Sequence, residues 1–526
     1  MHIIVPMSGV SQRFQDAGYK IPKYLIEVES KPIIAHIVDM FPGEFNFIFI
    51  CNKDHLNDPN LKLKEILNRY CPSGKIIGID PHKLGPVHAI LQIESSLKAL
   101  DSPVVVNYCD FTCYWDWYDF KEKVLSNDSI YGAIPSYKGF HPHSLGNTNY
   151  AYLKSVGKDV VDIQEKKSFT KNKMKEHAST GTYYFSSIRL MYEAFKFQIK
   201  NNLHVNGEYY VSMAYKYLFC NGRHVINYEV KHFMQWGTPE DLREYLYWSH
   251  LFKWKKSHVN REYDGVTIIP MAGFGLRFKE QLYKKPKALI NVDGKPMIVR
   301  SLDFLPTSKN YLFVLREDAS RSNEIISNIQ KKFPSAQFKI LSKSTSGQAI
   351  TAKIGLKSFL QSNKNYDKAV TFGVCDTGIY YNHSIFDKYL ARSDVDIIVW
   401  GMKDYPYALK NPNSYGWAVI NDDYKVTAVS VKKLPSGNQN NFLTMTGIFT
   451  FKKHNHFLEI IENLEKNDSK VNGEYYIDSC IDEAVKMGLN CYALPVNYYL
   501  CWGTPEELKT YRYWKNTFRK WPGFQK

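Results

Sequence analysis

The feature that most constrains this chain is repetition. Residues 3–34 read IIVPMSGVSQRFQDAGYKIPKYLIEVESKPII, and residues 267–298 read TIIPMAGFGLRFKEQLYKKPKALINVDGKPMI. Arg13, Lys23 and Lys31-Pro32 return 264 positions later as Arg277, Lys287 and Lys295-Pro296. Asn206-Gly207-Glu208-Tyr209-Tyr210 and Trp236-Gly237-Thr238-Pro239 return 266 positions later as Asn472-Gly473-Glu474-Tyr475-Tyr476 and Trp502-Gly503-Thr504-Pro505. Chance does not produce collinear matches of this quality. A period this long is a duplicated domain, since solenoid repeats are far shorter. The expected division is 1–263 for the first copy and 264–526 for the second.

Within each copy, apolar runs alternate with amphipathic stretches. Phe45–Cys51 and Pro103–Tyr108 correspond to Asn310–Leu315 and Ala369–Val374. Such alternation predicts βαβ units and an α/β fold, each copy a mixed, mostly parallel sheet flanked by helices. Residues 241–263 carry Tyr, Trp and Lys at helical spacing and predict a helix that closes the first copy, ending in a turn near Tyr263-Asp264-Gly265. Glu507 to Trp521 has the same character and predicts the matching helix of the second.

Composition removes several function classes. At 44% hydrophobic and 23% charged residues the chain is globular. No run of about 18 apolar residues is present to span a membrane. The start, Met1-His2-Ile3-Ile4-Val5-Pro6, is strand-like and lacks the basic opening of a signal peptide, so a cytoplasmic protein is expected. The nine cysteines are scattered without a CxxC pair, which reads as reduced core thiols rather than a zinc site. The net charge of +16 is spread along the chain, not gathered into a stripe, so a nucleic-acid partner is not expected.

The chemistry gathers at the strand ends, where α/β sheets bind ligands. Each opening strand runs into a Gly-containing turn, Pro6 to Phe14 and Pro270 to Phe278. Glycine there lets a base or phosphate approach the backbone, and the turn's N–H groups cradle anions. A dinucleotide fold would place an acidic residue about 20 positions on. This chain instead places a Lys ten positions after an Arg in both copies, a pairing suited to a polyphosphate whose charge grows in the transition state.

With these residues in view, the pattern resembles the sugar-phosphate nucleotidyltransferase family, with its G-x-G-x-R…P-K…K-P opening, over nearly the whole chain. The resemblance implies two tandem Rossmann-like domains, each directing a substrate phosphate onto the α-phosphorus of a nucleoside triphosphate. Pyrophosphate would leave and Mg²⁺ would assist, and the expected use of the product is capsule or other surface polysaccharide synthesis. It also implies roles. Arg13 and Arg277 would hold the triphosphate, and Lys23 and Lys287 would stabilise charge at the α-phosphate. Met7, Ser8 and Gly9, with Met271, Ala272, Gly273 and Gly275, would line the nucleotide. Leu84 to Ala89 and Ser344 to Ala349 resemble the base-contacting loop, which nominates Gly85, His88 and Gln348. In that alignment Thr345 stands where the first copy has Gly85, so the copies would differ in nucleotide choice. Asp110 and Asp376 match the metal-binding Asp.

On the acceptor side the copies diverge. Glu165-Lys166 matches the family's pair, in which Glu meets sugar hydroxyls and Lys meets the acceptor phosphate. Val431-Lys432 keeps only the Lys. Tyr415-Gly416 is family-like, against Asn149-Tyr150 in the first copy. Gly181, Gly447, Glu208 and Glu474 complete the expected acceptor set. The family's second metal-binding Asp is replaced by Gln235 and Cys501. The expected partners are therefore a nucleoside triphosphate and a phosphorylated small molecule, and the copies could pack as an internal pseudo-dimer or the chain as a homo-oligomer. Two alternatives stand beside this reading. One copy could be a degenerate binding unit, the first being the candidate because Ser11 replaces the second turn glycine. A nucleotide-sugar-dependent glycosyltransferase would need an Asp-x-Asp motif, which neither Asp110-Phe111-Thr112 nor Asp376-Thr377-Gly378 supplies.

Overall fold

The computed structural model describes residues 1–97, 101–147, 149–254, 261–317 and 321–521. Two compact units are present: Met1–Phe252 with Tyr513–Lys526, and Lys253–Arg512. The first unit thus includes the last turns of the helix Pro505–Lys520, so the spatial units depart from a division at residue 263. The cause is aromatic packing: Trp514 and Phe518 lie against Tyr245, with ring centroids 5.7 and 5.4 Å away.

In the first unit the opening strand His2–Met7 lies between Asn46–Asn52 and Val104–Asn107, parallel to both. Its alternate residues serve two cores: Ile3, Val5 and Met7 face one, Ile4 the other. The neighbours repeat this, with Phe47, Phe49 and Val105 on one face and Ile48, Ile50, Val104 and Val106 on the opposite face. A strand covered on both faces must be apolar throughout, which is why these runs showed no alternation in sequence.

The ten-stranded sheet is mixed rather than mostly parallel: Thr182–Phe185 runs antiparallel between Val104–Asn107 and Ile130–Tyr137. The second unit shows the same departure, with Phe442–Phe451 antiparallel between Ala369–Phe372 and Ile397–Met402. The reason is connectivity. These strands follow hairpins (Ala151–Val156 with Asp159–Glu165, and Gly416–Ile420 with Val426–Val431), so no crossover helix turns the chain back to parallel. Around Tyr263–Pro270, the parallel neighbours are Ser308–Arg316 and Ala369–Phe372.

The helix expected over 241–263 is Pro239–Lys253, and Tyr263 opens the next strand instead of ending a helix. Residues 255–260 of that stretch lie outside the described residues. Six of the nine cysteines are buried and none is paired in a disulfide, while Cys220 is exposed, against the expectation of core thiols. Among the described residues no helix is long and apolar enough to cross a membrane.

Candidate active site

The strand His2–Met7 ends in a turn that leads into the short helix Gln12–Asp16. Ser11 precedes that helix with φ 58° and ψ 34°, and Gly275 occupies the same place with φ 61° and ψ 35°. The missing glycine therefore has not altered the turn. A left-handed serine costs roughly 1–2 kcal/mol, and its hydroxyl is put to use, accepting a hydrogen bond from the Lys23 backbone N–H at 3.2 Å. Ser11 supplies no sign of a decayed first copy.

Lys23 and Lys287 each begin a single 3₁₀ turn directly after a proline. The Lys23 ammonium donates to Asp110 Oδ2 at 2.7 Å, and Lys287 makes the same bond to Asp376 Oδ2. Burial works against the Lys23 charge, but the Asp110 carboxylate outweighs it and holds the pKa up to about 12. Lys287 is raised in the same way, burial again opposed by Asp376. Both lysines thus remain cationic at any physiological pH. Arg13 and Arg277 are exposed on the adjoining helices. The Arg13 charge is felt by Lys23 and by Tyr210, and the Arg277 charge by Tyr476.

The base loop requires a correction. Gly85 has φ +88°, and a Cβ there would meet Tyr209 N and O at 2.8 Å; Gly347 has φ +134°, and a Cβ would meet Tyr475 N and O at 2.5 Å. Each loop is stitched to that tyrosine's backbone, Tyr209 N–H to Leu84 O and Tyr475 N–H to Ser346 O, both at 2.9 Å. Gly85 therefore corresponds to Gly347, not to Thr345. Gln348 falls opposite Pro86, and the Thr345 hydroxyl bonds within its own loop, to Gly347 O at 3.0 Å. The inferred difference in nucleotide choice loses its basis. His88 lies one turn into the helix Pro86–Leu91, its ring edge-on to His82 at 4.9 Å.

Among the residues expected to meet the acceptor, Glu165 ends the strand Asp159–Glu165 and accepts from Ser212 Oγ at 2.6 Å. Burial, reinforced by Glu208 and opposed by Ser212 and Lys166, lifts its pKa to about 7. Lys166 follows in the left-handed region at φ 55° and donates to the Tyr210 hydroxyl at 2.6 Å. Tyr210 in turn donates to Glu208 at 2.9 Å. Lys432 has the same backbone, φ 57°, and donates to Ser414 O at 2.5 Å. Its N–H bonds Tyr415 O at 3.1 Å, as Lys166 N–H bonds Tyr150 O at 3.0 Å. Tyr150 is thus the partner of Tyr415, and Gly416 is matched by Ala151, correcting the expected Asn149-Tyr150. Gly181 and Gly447 both take positive φ, 99° and 80°, and Glu208 and Glu474 close matching Asn-Gly turns.

These groups meet. In the first unit a cavity of about 540 Å³ is lined by the turn (Met7, Ser8, Gly9, Arg13), by Lys23 and Asp110, by Gly85, and by Glu165, Lys166, Gly181 and Glu208.

No protein-family model and no curated protein matches the chain. Among solved structures, it is similar to the nucleoside-diphosphate-sugar pyrophosphorylase from Vibrio cholerae RC9, at 21% identity and TM-score 0.39, over 47% of this chain and 98% of that one. It is similar to the inositol-1-phosphate CTP transferase from T. maritima at 13% identity and TM-score 0.36, over 49% and 96%. A UDP-glucose pyrophosphorylase solved with UDP-glucose is similar at 15% identity and TM-score 0.36, over 46% and 94%.

The metal side is sparse. Backbone bonds from Trp236 and Trp502 to Asp110 O and Asp376 O, 3.0 and 2.9 Å, bring the segments carrying Gln235 and Cys501 beside each carboxylate. Burial, together with Glu507 and Asp376, pushes the Cys501 thiol well above its ordinary range, leaving a protonated soft atom unsuited to Mg²⁺. Among the described residues no group of three or more His, Cys, Asp or Glu side chains is placed to hold a metal ion. Asp110 and Asp376 are hard carboxylates of the kind that share Mg²⁺ with phosphate oxygens rather than build a protein cage. Sequence reasoning missed Tyr210, Ser212 and Asp478. The Asn-Gly-Glu-Tyr-Tyr repeat marked the first, and the other two sit two positions beyond it.

Proposed function

We propose that each unit transfers a nucleotidyl group from a nucleoside triphosphate to a small phosphorylated acceptor. The observation that carries this reading is the Lys23–Asp110 pair in a cavity that Arg13, Glu165 and Lys166 also line, matched in the second unit by Lys287–Asp376 with Arg277 and Lys432. An acceptor phosphate oxygen attacks the α-phosphorus, the bond from that phosphorus to the β-bridging oxygen breaks, and pyrophosphate leaves with the electron pair. The protein needs no nucleophile of its own. Alignment and charge neutralisation suffice, as for phosphoryl transfer in general.

Arg13 holds the leaving phosphates, and Lys23, kept cationic, faces the charge that develops at the α-phosphate. Lys166 receives the acceptor phosphate, and Glu165 receives hydroxyls of the acceptor, which makes a sugar or polyol phosphate the substrate class. Asp110 and Asp376 would hold Mg²⁺, whose contribution when bound is to neutralise phosphate charge. A pyrophosphate-release screen of each nucleoside triphosphate against sugar 1-phosphates and polyol phosphates tests the proposal. Release confined to some pairs is expected; silence across the panel overturns it.

A further inference from the structure

Resting on that reading, we infer that Asp478 is the acceptor-facing carboxylate of the second unit, the role of Glu165 having moved from a strand to a helix. Three positions carry the inference. Glu165 pairs across its hairpin with Ala151, and Val431 pairs with Gly416. With the following lysines bonded alike to Tyr150 O and Tyr415 O, Val431 is unambiguously the counterpart of Glu165. Ser212, which donates to Glu165, is the second residue of the helix Val211–Cys220, and Asp478 is the second residue of Ile477–Lys486. The set Ala151, Glu165, Ser212 has become Gly416, Val431, Asp478.

The exchange is sterically coupled. A Cβ on Gly416 would overlap Asp478 Oδ1 and come within 2.9 Å of its Cγ and 2.7 Å of Met445 Cε. The methyl that Ala151 carries is therefore incompatible with Asp478, and its removal makes the space the carboxylate occupies. Replacing Glu165 by Val431 removes the first carboxylate, so a second does not face it. Each unit keeps an acidic group at this place beside its lysine, carried by a strand in the first and by a helix in the second. The Lys432 charge acts on Asp478 as the Lys166 charge acts on Glu165, and burial raises both carboxyls nonetheless. Asp478 also lies in the first turn of its helix, where any Asp gains from the dipole. A dipole partner, however, has no need of a glycine opposite or of a half-buried place.

The consequence is specificity. Asp478 comes from the helix side and projects over Gly416, so the second unit addresses an acceptor hydroxyl from a different direction and selects a different hydroxylated phosphate.

The test uses the full chain with Lys23→Ala, which leaves turnover to the second unit, and adds Asp478→Asn or Asp478→Ser. We expect the KM for the acceptor to rise about 10-fold or more while the KM for the nucleoside triphosphate stays within about twofold, the loss of a charged hydrogen bond. The melting temperature should hold or rise, because a buried carboxylate is being neutralised. The triple variant Gly416→Ala, Val431→Glu, Asp478→Ser should move the acceptor preference toward that of the first unit. An unchanged acceptor KM in active Asp478→Asn, or a fall in melting temperature as its only effect, overturns the inference alone. Absence of pyrophosphate release from the unaltered chain overturns the functional reading and the inference with it.

Discussion

The two units share the corner proposed to hold the nucleotide and part company where the acceptor is proposed to bind. At the first, the lysine–aspartate bond, the left-handed residue before the first helix and the glycine pressed against a tyrosine backbone are all present twice. At the second, Ala151, Glu165 and Ser212 of the first unit are replaced by Gly416, Val431 and Asp478 in the other. Under the proposed function, groups that meet the invariant part of the reaction, a triphosphate, have little freedom. Groups that meet the variable part can be exchanged, provided that volume and charge are exchanged together. The turns add a smaller contrast: Arg316 lies 3.8 Å over the Phe274 ring and donates to Ala272 O at 3.1 Å, whereas Asn52 at the equivalent strand end caps the next helix.

The largest expected effect breaks one corner at a time. Lys23→Ala or Lys287→Ala should lower kcat of its own unit by about 10²–10³ or more, the usual cost of removing a transition-state donor, and the double variant should abolish pyrophosphate release. Single-turnover kinetics on each variant reads this directly. Next in size is the base loop. Gly347→Ala and Gly85→Ala should each destabilise by about 1–3 kcal/mol or more, Gly347→Ala the more, because its Cβ would approach backbone at 2.5 Å against 2.8 Å. Equal shifts in denaturant midpoint would break that ranking.

How much of this was legible in the sequence follows from spacing. Arg13, Lys23 and Asp110 stood out because they recur at nearly constant offsets, and the chemistry of a cation pair and a strand-end carboxylate is readable from residue type. The base and acceptor loops were misaligned by one or two positions, since Gly85 matches Gly347 at an offset of 262 and Tyr150 matches Tyr415 at 265, while the flanking motifs run at 264 and 266. Only the backbone bonds to Tyr209, Tyr475, Lys166 and Lys432 fix the register. Asp478 was invisible because its meaning depends on residues 416 and 431, which the chain brings together only in the fold. The mixed sheet was expected, but the extent of its antiparallel pairing was not, because buried strands read alike in either direction.

Smaller effects sharpen the acceptor contrast. Glu165 titrates near pH 7 instead of its ordinary 4.5, so its proton is held in the fold where the unfolded chain has lost it. Stability owed to that proton therefore declines as pH rises from 4.5 toward 7, and acceptor binding in the first unit should carry an inflection near 7. Glu165→Gln should erase that inflection, and the second unit, with Val431 at this position, should lack it; KM against pH with Lys287→Ala and Lys23→Ala compares them. The smallest effect is at the turn. Gly275→Ser should cost at most about 1–2 kcal/mol and leave the second unit active, as the Ser11 conformation implies; loss of its turnover would separate the two turns.

The claim that two like corners serve unlike acceptors meets its most direct test in one measurement. Pyrophosphate release is recorded for Lys23→Ala and for Lys287→Ala across the same panel of sugar and polyol phosphates. Two active variants with different acceptor profiles are predicted; identical profiles would contradict the account.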